Sequence, residues 1–480
     1  MKKLNGLKPE KVFGFFEEIS SIPRGSGDMK KISRYCVDFA EKRGLRYIKD
    51  GADNVVIYKA ATKGYEDAET VILQGHLDMV CQKTEESEID FLRDGIELYV
   101  DGDFVKAKGT TLGADNGIAV AMVLAVLDSD DLAHPSLEAV FTTDEEIGMV
   151  GALQLDMSLL KGTKMINLDA EEDGILTVSC AGGSDFTASM PVQRKEEKGT
   201  LIEVTLKGLK GGHSGVEIND GRVNANILAG RYLNYICKNA DFSLASVNGG
   251  DKGNAITNLC RVSVVAKDKE SFIRETEKYL EIIRNEISSR EPDFDYTLNA
   301  SEDVTAKVMT EEIKEKVIFA LALAPNGVVE MSKEIDGLVE TSLNLGILKT
   351  EEEKITLHFA LRSNKKSALR FLEEKLETFS ENFGFVWEES GHYPPWEYKE
   401  NSSLQKIYKE CFTELNGYKP RFEAIHAGLE CGVFSSAKDN LDCVALGPAL
   451  AEVHTVNERL SISSTGRTFN LVVKMLENCR

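Results

Sequence analysis

Five short segments place His, Asp or Glu directly after apolar runs that are typical of strands. They are QGHLDMV around His76, TLGADNG around Asp115, TTDEEIG around Glu145 and Glu146, MINLDAEE around Asp169, and GPALAEVHT around His454. Open α/β sheets gather loops from distant parts of a chain at the carboxyl ends of their strands, so we expect these side chains to meet. Imidazoles and carboxylates without a thiolate suit Zn²⁺, Mn²⁺ or Co²⁺. The pattern predicts a hydrolytic site with two metal ions.

Spacing within two of these segments gives neighbouring residues different tasks. Residues two apart on a strand share a face, so Asp78 can hydrogen-bond the imidazole of His76 and fix which ring nitrogen meets a metal. Glu145 and Glu146 project in different directions, so one can bind a metal while the other acts as a general base. Each segment alone also fits a cap, a turn or a helix amino terminus. Their joint occurrence favours the metal site.

The elements that must position these residues have the rhythm of βαβ units. Strand-like runs, among them TVILQG and LEAVFTT, alternate with stretches such as NGIAVAMVLAVLDS, which we expect to be an amphipathic helix. The same rhythm resumes in LQKIYKECFTELNG and DCVALG. Gly-rich CAGGSD and Pro-rich SGHYPPWE interrupt it. We predict a discontinuous α/β domain over residues 1–183 and 395–480, with residues 184–394 inserted.

The inserted segment contains two similar strand and helix pairs. RVSVVAK precedes ESFIRETEKYLEIIRNEISSREP, and ITLHFALRS precedes SALRFLEEKLETFSENFG. Each pair predicts a strand followed by a charged amphipathic helix. Further helices are expected near residues 222–238 and 311–324, so the insertion is expected to hold two similar α+β halves.

Composition excludes several classes of protein. A chain of 480 residues is too long for one typical core, so two domains are expected. The net charge of −22 disfavours nucleic-acid binding. No apolar stretch approaches the roughly 18 residues of a membrane helix, and the first residues lack the pattern of a secretory leader. Nine cysteines without a close CxxC pair indicate a reducing compartment. We expect a cytoplasmic protein that binds neither nucleic acid nor membrane.

Other catalytic motifs are weak or missing. RGSGDMK has two of the three glycines of a dinucleotide fingerprint, and no strand leads directly into it. The sequence contains no GxSxG nucleophile elbow and no GKS or GKT of a phosphate-binding loop. The metal site is therefore the strongest catalytic prediction.

Taken in order, the motifs resemble those of the cytosolic Xaa-His dipeptidases, or aminoacylhistidine dipeptidases, within the carboxypeptidase-G2 and aminoacylase clan of metallopeptidases. The resemblance covers most of the chain and includes QGHLDMVCQK, TLGADNGI, TTDEEIGMVGA, NLDAEE, GLKGGHSGVEI, GNAITN and HAGLECGVF. EVHTVNERL departs from the PHSPDERL of many relatives but keeps His454. The resemblance implies a zinc-peptidase-like α/β fold, in which helices flank a mixed sheet and an α+β lid domain is inserted.

The resemblance also implies roles for the site residues. His76, Asp115 and Asp169 would hold one metal, and Asp115, Glu146 and His454 the other. Asp115 would bridge the two metals, and Glu145 would be the general base.

Further roles fall on the lid and its surroundings. His213 in GGHSG would stabilise the oxyanion, and Arg362 would bind the terminal carboxylate of a peptide. Asn254 and Glu430 are weaker candidates for substrate binding, the latter for a free amine. A glycine-rich turn and a surface salt bridge are the structural alternatives for His213 and Arg362. Relatives with short lids borrow a lid histidine from a partner subunit, whereas this long lid could supply His213 itself. The oligomeric state stays open, and a homodimer is compatible.

The predicted function is metal-dependent hydrolysis of unblocked dipeptides with broad specificity, including Xaa-His. The expected cofactors are two divalent ions, with Zn²⁺ first and Mn²⁺ or Co²⁺ as alternatives. An aminoacylase or other amidohydrolase with the same metal centre is the nearest alternative. A non-catalytic metal-binding scaffold is an alternative of a different class.

Overall fold

The computed structural model describes residues 3–480, which form two compact units. The first unit comprises the described chain up to Cys180, together with Trp396–Ala424 and Leu429–Arg480, and the second comprises Ala181–Pro395 and Ile425–Gly428. The chain therefore leaves the first unit and later returns to it. The interpretation of residues 184–394 as a lid stays a prediction.

Up to Cys180, the described chain begins with two helices and then five consecutive strands, so it follows the predicted βαβ alternation only over its later elements. The α-helices are α1 (Glu10–Ser20), α2 (Lys30–Arg43), α3 (Ala114–Leu127) and α4 (Val150–Gln154). The strands are β1 (Arg46–Lys49), β2 (Val55–Lys59), β3 (Val71–His76), β4 (Leu98–Asp101), β5 (Phe104–Ala107), β6 (Leu137–Thr142), β7 (Lys164–Asn167) and β8 (Ile175–Cys180).

The second unit is built from long strands and four α-helices. The strands are β9 (Gly182–Pro191), β10 (Arg194–Lys207), β11 (Gly212–His213), β12 (Phe242–Gly249), β13 (Ala255–Ile256), β14 (Cys260–Ala266), β15 (Asp295–Met309), β16 (Gly327–Met331), β17 (Val339–Thr350), β18 (Lys354–Ser363) and β19 (Val386–Tyr393). The helices are α5 (Ala225–Ile236), α6 (Lys269–Ile287), α7 (Glu311–Leu323) and α8 (Lys366–Phe383).

The last part of the chain supplies seven further elements. They are α9 (Ser403–Asn416), β20 (Arg421–Ile425), α10 (Glu430–Ala437), β21 (Asp442–Ala445), β22 (Leu450–Ala451), β23 (Arg459–Ser461) and α11 (Ile462–Asn478). No helix among residues 3–480 has the length and apolarity needed to cross a membrane.

The first unit is organised around a mixed sheet of eight strands in the order β1-β2-β6-β3-β7-β21-β8-β20. Its centre is parallel, because β3 pairs in parallel with both β6 and β7, and β7 with β21. Strands β3, β6 and β7 are buried along their whole length, as parallel strands covered on both faces must be. The register sets His76 beside Thr142, so the carboxyl ends of these strands share one edge. The mixed sheet with flanking helices confirms the predicted fold class.

Helix α3 differs from its prediction in one respect. We expected an amphipathic helix, but every residue from Asn116 to Leu127 is buried. The helix packs against α1 and β3, so both of its faces meet protein. A helix that is apolar all round belongs to a core, which explains why the run IAVAMVLAVL lacks a polar face.

The second unit contains an antiparallel sheet of nine strands in the order β15-β10-β14-β12-β17-β18-β9-β19, with β16 added on β17. Strands β12 and β17 pair at Gly249 and Leu348, where a half of four strands ending at β12 meets a half of five strands that begins at β17 and includes β16. The predicted pairs are observed as β14 followed by α6 and β18 followed by α8. Strands β11 and β13 form a separate two-stranded ribbon. One continuous set of buried side chains packs both halves of this unit together.

Candidate metal centre

The strand ends of the first unit deliver the predicted metal ligands to one place. His76 is the last residue of β3, and Asp169 follows β7 by two residues. Glu146 lies in the turn after β6, and His454 in the loop between β22 and β23. Asp115 lies at the start of α3 with extended rather than helical backbone angles (φ −78°, ψ 109°). Parallel pairing of β3, β6 and β7 makes the segments of His76, Glu146 and Asp169 neighbours. His454 comes instead from the antiparallel pair β22 and β23, which belongs to a separate four-stranded sheet with β5 and β4.

Asp115 lies between the two imidazoles. Its Oδ1 is 3.2 Å from His76 Nε2, and its Oδ2 is 3.0 Å from His454 Nε2. Asp169 Oδ1 is 3.6 Å from the same His76 nitrogen, and Glu146 Oε1 is 3.1 Å from the His454 nitrogen. Two groups of predicted ligands therefore share the Asp115 carboxylate, which directs one oxygen to each group. Ligand atoms of His76, Asp115 and Glu146 all lie within 4.8 Å of one another, close enough to hold a metal ion.

The electrostatics of the cluster call for added positive charge. Hydrogen bonds to Asp115 and Glu146 raise the pKa of His454 to about 11. Burial raises the pKa of Asp169 well above its usual range, and the nearby Asp115 and Glu145 add to this shift. For Asp115, burial is outweighed by the two imidazoles, which lower its pKa. Clustered carboxylates withdrawn from water are stable only when compensated, so the donor set fits divalent cations.

Glu145 has the environment of a general base. Burial raises its pKa to about 8, and the negative charges of Glu430, Glu146 and Asp115 contribute to the shift against the opposing charge of His76. A base whose pKa lies near the working pH is effective, because it is ionised and still holds a proton well. The turn is fixed through the backbone, where Glu145 donates its N–H to Asp78 Oδ1 at 3.0 Å.

Asp78 is completely buried and links two ligand loops. Its Oδ1 lies 3.3 Å from His76 Nδ1, although the alignment is outside that of a hydrogen bond. Its Oδ2 accepts from the Ser26 hydroxyl at 2.8 Å and from the Glu146 N–H at 3.2 Å. These partners outweigh burial and lower its pKa to about 2. The carboxylate therefore stays charged beside His76 and braces the turn that carries Glu145.

Asn116 is a site residue that sequence reasoning missed. Its Oδ1 accepts the backbone N–H of His76 at 3.1 Å, and its Nδ2 donates to the carbonyl of Leu168 at 2.9 Å. A Cβ on Gly75 would lie 2.5 Å from that Oδ1, so only glycine permits the approach. The amide joins the segments of His76, Asp115 and Asp169. Its position inside GADNG was the available signal, but turn residues are common there.

Glu430 lies beneath the cluster, at the start of α10. Its side chain is fully buried, and Oε2 accepts from Thr142 Oγ1 at 2.7 Å and from Gln74 Nε2. Burial raises its pKa to about 7. Its Oε1 has no hydrogen-bond partner among residues 3–480. The structure thus places Glu430 among strand residues, and its proposed contact with a substrate amine stays a prediction.

In the second unit, His213 is held as a neutral donor. The backbone N–H groups of Gly215 and Val216 both point to its Nδ1 at 3.2 Å. That nitrogen is the acceptor, so the neutral ring carries its proton on Nε2. Burial and the charge of Arg362 lower the pKa of His213 and favour the neutral ring. An Nε2–H donor is what an oxyanion requires.

Arg362 and Asn254 belong to the same unit. Arg362 lies on β18 and donates from Nη1 to the Tyr393 hydroxyl at 3.0 Å, while its buried Nε has no hydrogen-bond partner among residues 3–480. Asn254 is exposed beside the β11–β13 ribbon, where its carbonyl accepts the N–H of Ser214 at 2.9 Å.

His426 is a second residue that was missed, although it lies in the quoted segment HAGLECGVF. It is buried, with Nε2 at 2.7 Å from the Ser342 hydroxyl. Burial, with the charge of Arg362, lowers its pKa to about 3. His426 is therefore a neutral histidine.

The chain is similar to known proteins over nearly its whole length. Residues 72–478 match the profile of the family described as Peptidase family M20/M25/M40. The cytosol non-specific dipeptidase of Escherichia coli is 36% identical over 99% of this chain and 99% of its own length. The crystal structure of aminoacylhistidine dipeptidase from Vibrio alginolyticus is 38% identical, with a TM-score of 0.91 over 99% of this chain and 98% of that one. Aminopeptidase PepT from Bacillus cereus, 14% identical with a TM-score of 0.56 over 98% of this chain and 99% of that one, shares the fold alone.

Proposed function

This chain belongs to peptidase family M20/M25/M40, and from that premise we propose that it is a metal-dependent dipeptidase of broad specificity. Its substrates are unblocked dipeptides, including Xaa-His. The observation that carries the proposal is Asp115, which offers one oxygen to the His76 group and the other to the His454 group while Glu145 stands beside them. The names of the E. coli and Vibrio relatives support the substrate class.

Five side chains are proposed to hold two divalent ions. His76, Asp115 and Asp169 would bind one ion, and Asp115, Glu146 and His454 the other. When bound, such ions polarise a peptide carbonyl and make water a better nucleophile at neutral pH. Zn²⁺ is the proposed metal, with Mn²⁺ and Co²⁺ as alternatives, because all three accept mixed imidazole and carboxylate ligands.

Glu145 is proposed to move the proton. It takes a proton from the attacking water and returns it to the nitrogen of the leaving amine, so the carboxyl group ends each cycle as it began. Asp78 supports this step by holding the backbone of the Glu145 turn. Burial of Glu145 keeps its proton affinity high enough for the transfer.

Three residues of the second unit are proposed to act on the substrate. His213 donates its Nε2–H to the oxygen that becomes negatively charged, and its hydrogen bonds to Gly215 and Val216 hold the required tautomer. Arg362 binds the terminal carboxylate through its planar guanidinium. Asn254 is proposed as a further polar contact. We also propose a cytoplasmic location, in keeping with the name of the E. coli relative, and a homodimer as the assembly to test.

A substrate panel tests the proposed activity. Metal-loaded protein is given free dipeptides such as Ala-His and Ala-Leu, the matching tripeptides, N-acetylated dipeptides, N-acyl amino acids and dipeptide amides. We expect hydrolysis of the free dipeptides and little of the other compounds. Faster hydrolysis of N-acyl amino acids would instead make the protein an aminoacylase. Binding of metal without hydrolysis of any compound would indicate a scaffold.

A further inference from the structure

Glu458 binds the loop that carries Asp115 from a distant part of the sequence. Its side chain is 3% exposed. Oε2 accepts the backbone N–H groups of Leu112 and Gly113 at 2.7 and 2.9 Å, and Oε1 accepts those of Ala114 and Asp115 at 2.8 and 3.3 Å. One carboxylate thus satisfies four consecutive N–H groups, two just before α3 and two in its first residues, where the backbone is not yet regular helix.

The same residue anchors the loop of His454. Glu458 follows His454 by four residues, and its own N–H donates to the carbonyl of Thr455 at 3.2 Å. His454 has a left-handed backbone (φ 60°), which is uncommon for a residue other than glycine and persists only where the surroundings hold it. Glu458 therefore joins two segments whose side chains, Asp115 and His454, lie 3.0 Å apart.

Arg24 hydrogen-bonds the loop that carries Asp115 and also the segment that follows His76. It is 2% exposed and donates from Nη1 to the carbonyls of Leu77 and Asp78 at 3.0 and 3.1 Å, and from Nη2 to the carbonyl of Gly113. A Cβ on Gly113 would lie 2.5 Å from Nη2, so glycine makes the approach possible. Arg24 belongs to RGSGDMK, the motif that a dinucleotide site could not explain.

We propose that Glu458 and Arg24 are positioning residues that clasp the backbone of three ligand loops and set the spacing of the two metal sites. Glu458 accepts hydrogen bonds from backbone N–H groups, and Arg24 donates hydrogen bonds to backbone carbonyls. Gly113 is bonded to both residues, through its N–H and its carbonyl. The loops so joined carry His76, Asp115 and His454. The inference rests on the proposed function, because it assumes that these side chains bind metal.

The clasp predicts an unequal effect on the two metals. Glu458 joins Asp115, which both proposed sites share, to His454, which belongs to one of them, and among residues 3–480 it makes no hydrogen bond to the segments of His76 or Asp169. In Glu458→Gln an amide NH₂ faces N–H donors, so two backbone groups lose their acceptor. We expect the site of Glu146 and His454 to weaken about 10- to 100-fold, as when other outer partners of ligands are changed.

Glu138 offers a matched control in the same unit. It is also 3% exposed and accepts backbone N–H groups, those of Lys161 at 2.9 Å and Gly162 at 3.0 Å. It lies beside Ile72 in the sheet register, whereas the ligand edge is at His76 and Thr142. Glu138→Gln should therefore lower thermal stability without changing metal affinity.

The test is a Co²⁺ titration of metal-depleted protein, followed by d–d absorption and by competition with a chelator. Wild type and Glu138→Gln should bind two equivalents tightly, and Glu458→Gln should bind the second more weakly with an altered spectrum. Arg24→Lys keeps the positive charge but loses the planar guanidinium with its two donor nitrogens, so it should also shift the spectrum. This variant provides the test if Glu458→Gln does not fold.

Wild-type affinities and spectrum in folded Glu458→Gln, or in Arg24→Lys where the first variant does not fold, would overturn the clasp alone. An equal loss in Glu138→Gln would overturn it too, because the effect would then be general. A wild type that binds no metal would overturn the proposed function, and the clasp with it.

Discussion

Replacing Glu145 by Gln should separate proton transfer from metal binding. The two side chains are nearly equal in size, and the turn is held by the backbone contact to Asp78 rather than by the Glu145 carboxylate. Metal content should therefore stay at the wild-type level. Removal of a general base costs about 10² to 10⁴ in rate. Because burial raises the pKa of Glu145 to about 8, within the range of an effective base, we expect the loss of rate to lie in the upper part of this range.

A loss of about 10³- to 10⁴-fold corresponds to about 4–5 kcal/mol of activation free energy at 1.36 kcal/mol per tenfold. Although Glu145→Gln should lower the rate of hydrolysis, it should raise the stability of the metal-depleted fold. Folding raises the pKa of Glu145 from 4.5 to about 8, so this group's contribution to stability falls as pH rises from about 4.5 to about 8. Metal-depleted Glu145→Gln should then unfold at a higher temperature than metal-depleted wild type at pH 8 or above.

The assay combines metal analysis, initial rates on a free dipeptide and thermal unfolding of the depleted proteins. Glu146→Gln is the matched control, since it removes the neighbouring carboxylate that contacts His454 and should lose one metal equivalent. A Glu145→Gln protein with full metal and wild-type rate would refute the base assignment. Loss of metal from this variant would show that Glu145 is a ligand.

Three other changes have distinct expected outcomes. Arg362→Ala should raise KM for a free dipeptide and abolish discrimination against its C-terminal amide, as steady-state kinetics on both compounds will show. His213→Ala should keep both metals, measured by elemental analysis, and lose about 10²–10³ in kcat because an oxyanion donor is removed. His426 has a pKa lowered to about 3 in the fold, so the unfolded chain takes up its proton first as pH falls below about 6.5. Stability is then lost as pH falls, and at pH 5 the loss due to His426 amounts to about 2 kcal/mol. Urea titrations at pH 7 and pH 5 should therefore show a smaller change in unfolding free energy between the two pH values for His426→Asn than for wild type.

The parallel sheet and the ligand-bearing strand ends could be predicted because local sequence determines them. TVILQGH, LEAVFT and KMIN are apolar runs bounded by turn formers, and they are observed as β3, β6 and β7. The polar residue after each run had to lie at the sheet edge. The joint occurrence of the five segments was enough to group His76, Asp115 and His454, whereas the division of the residues between two metal ions required the family resemblance.

Other features could not be predicted because they depend on long-range packing. Glu458 and Leu112 are separated by 346 positions in sequence, and nothing local to either indicates a hydrogen bond between them. Asn116 was hidden by its resemblance to an ordinary turn residue. The burial of α3 was readable in the uninterrupted apolar run IAVAMVLAVL, whereas its partners α1 and β3 were not.

The most direct measurement is the rate of hydrolysis of a free dipeptide by metal-depleted protein as Zn²⁺ is added back in known amounts. A two-metal site in which Asp115 is shared predicts that activity is absent at first and reaches its plateau at two equivalents per chain. Full activity without added metal, a plateau at one equivalent, or no hydrolysis at two equivalents would contradict a dipeptidase that works through two metal ions.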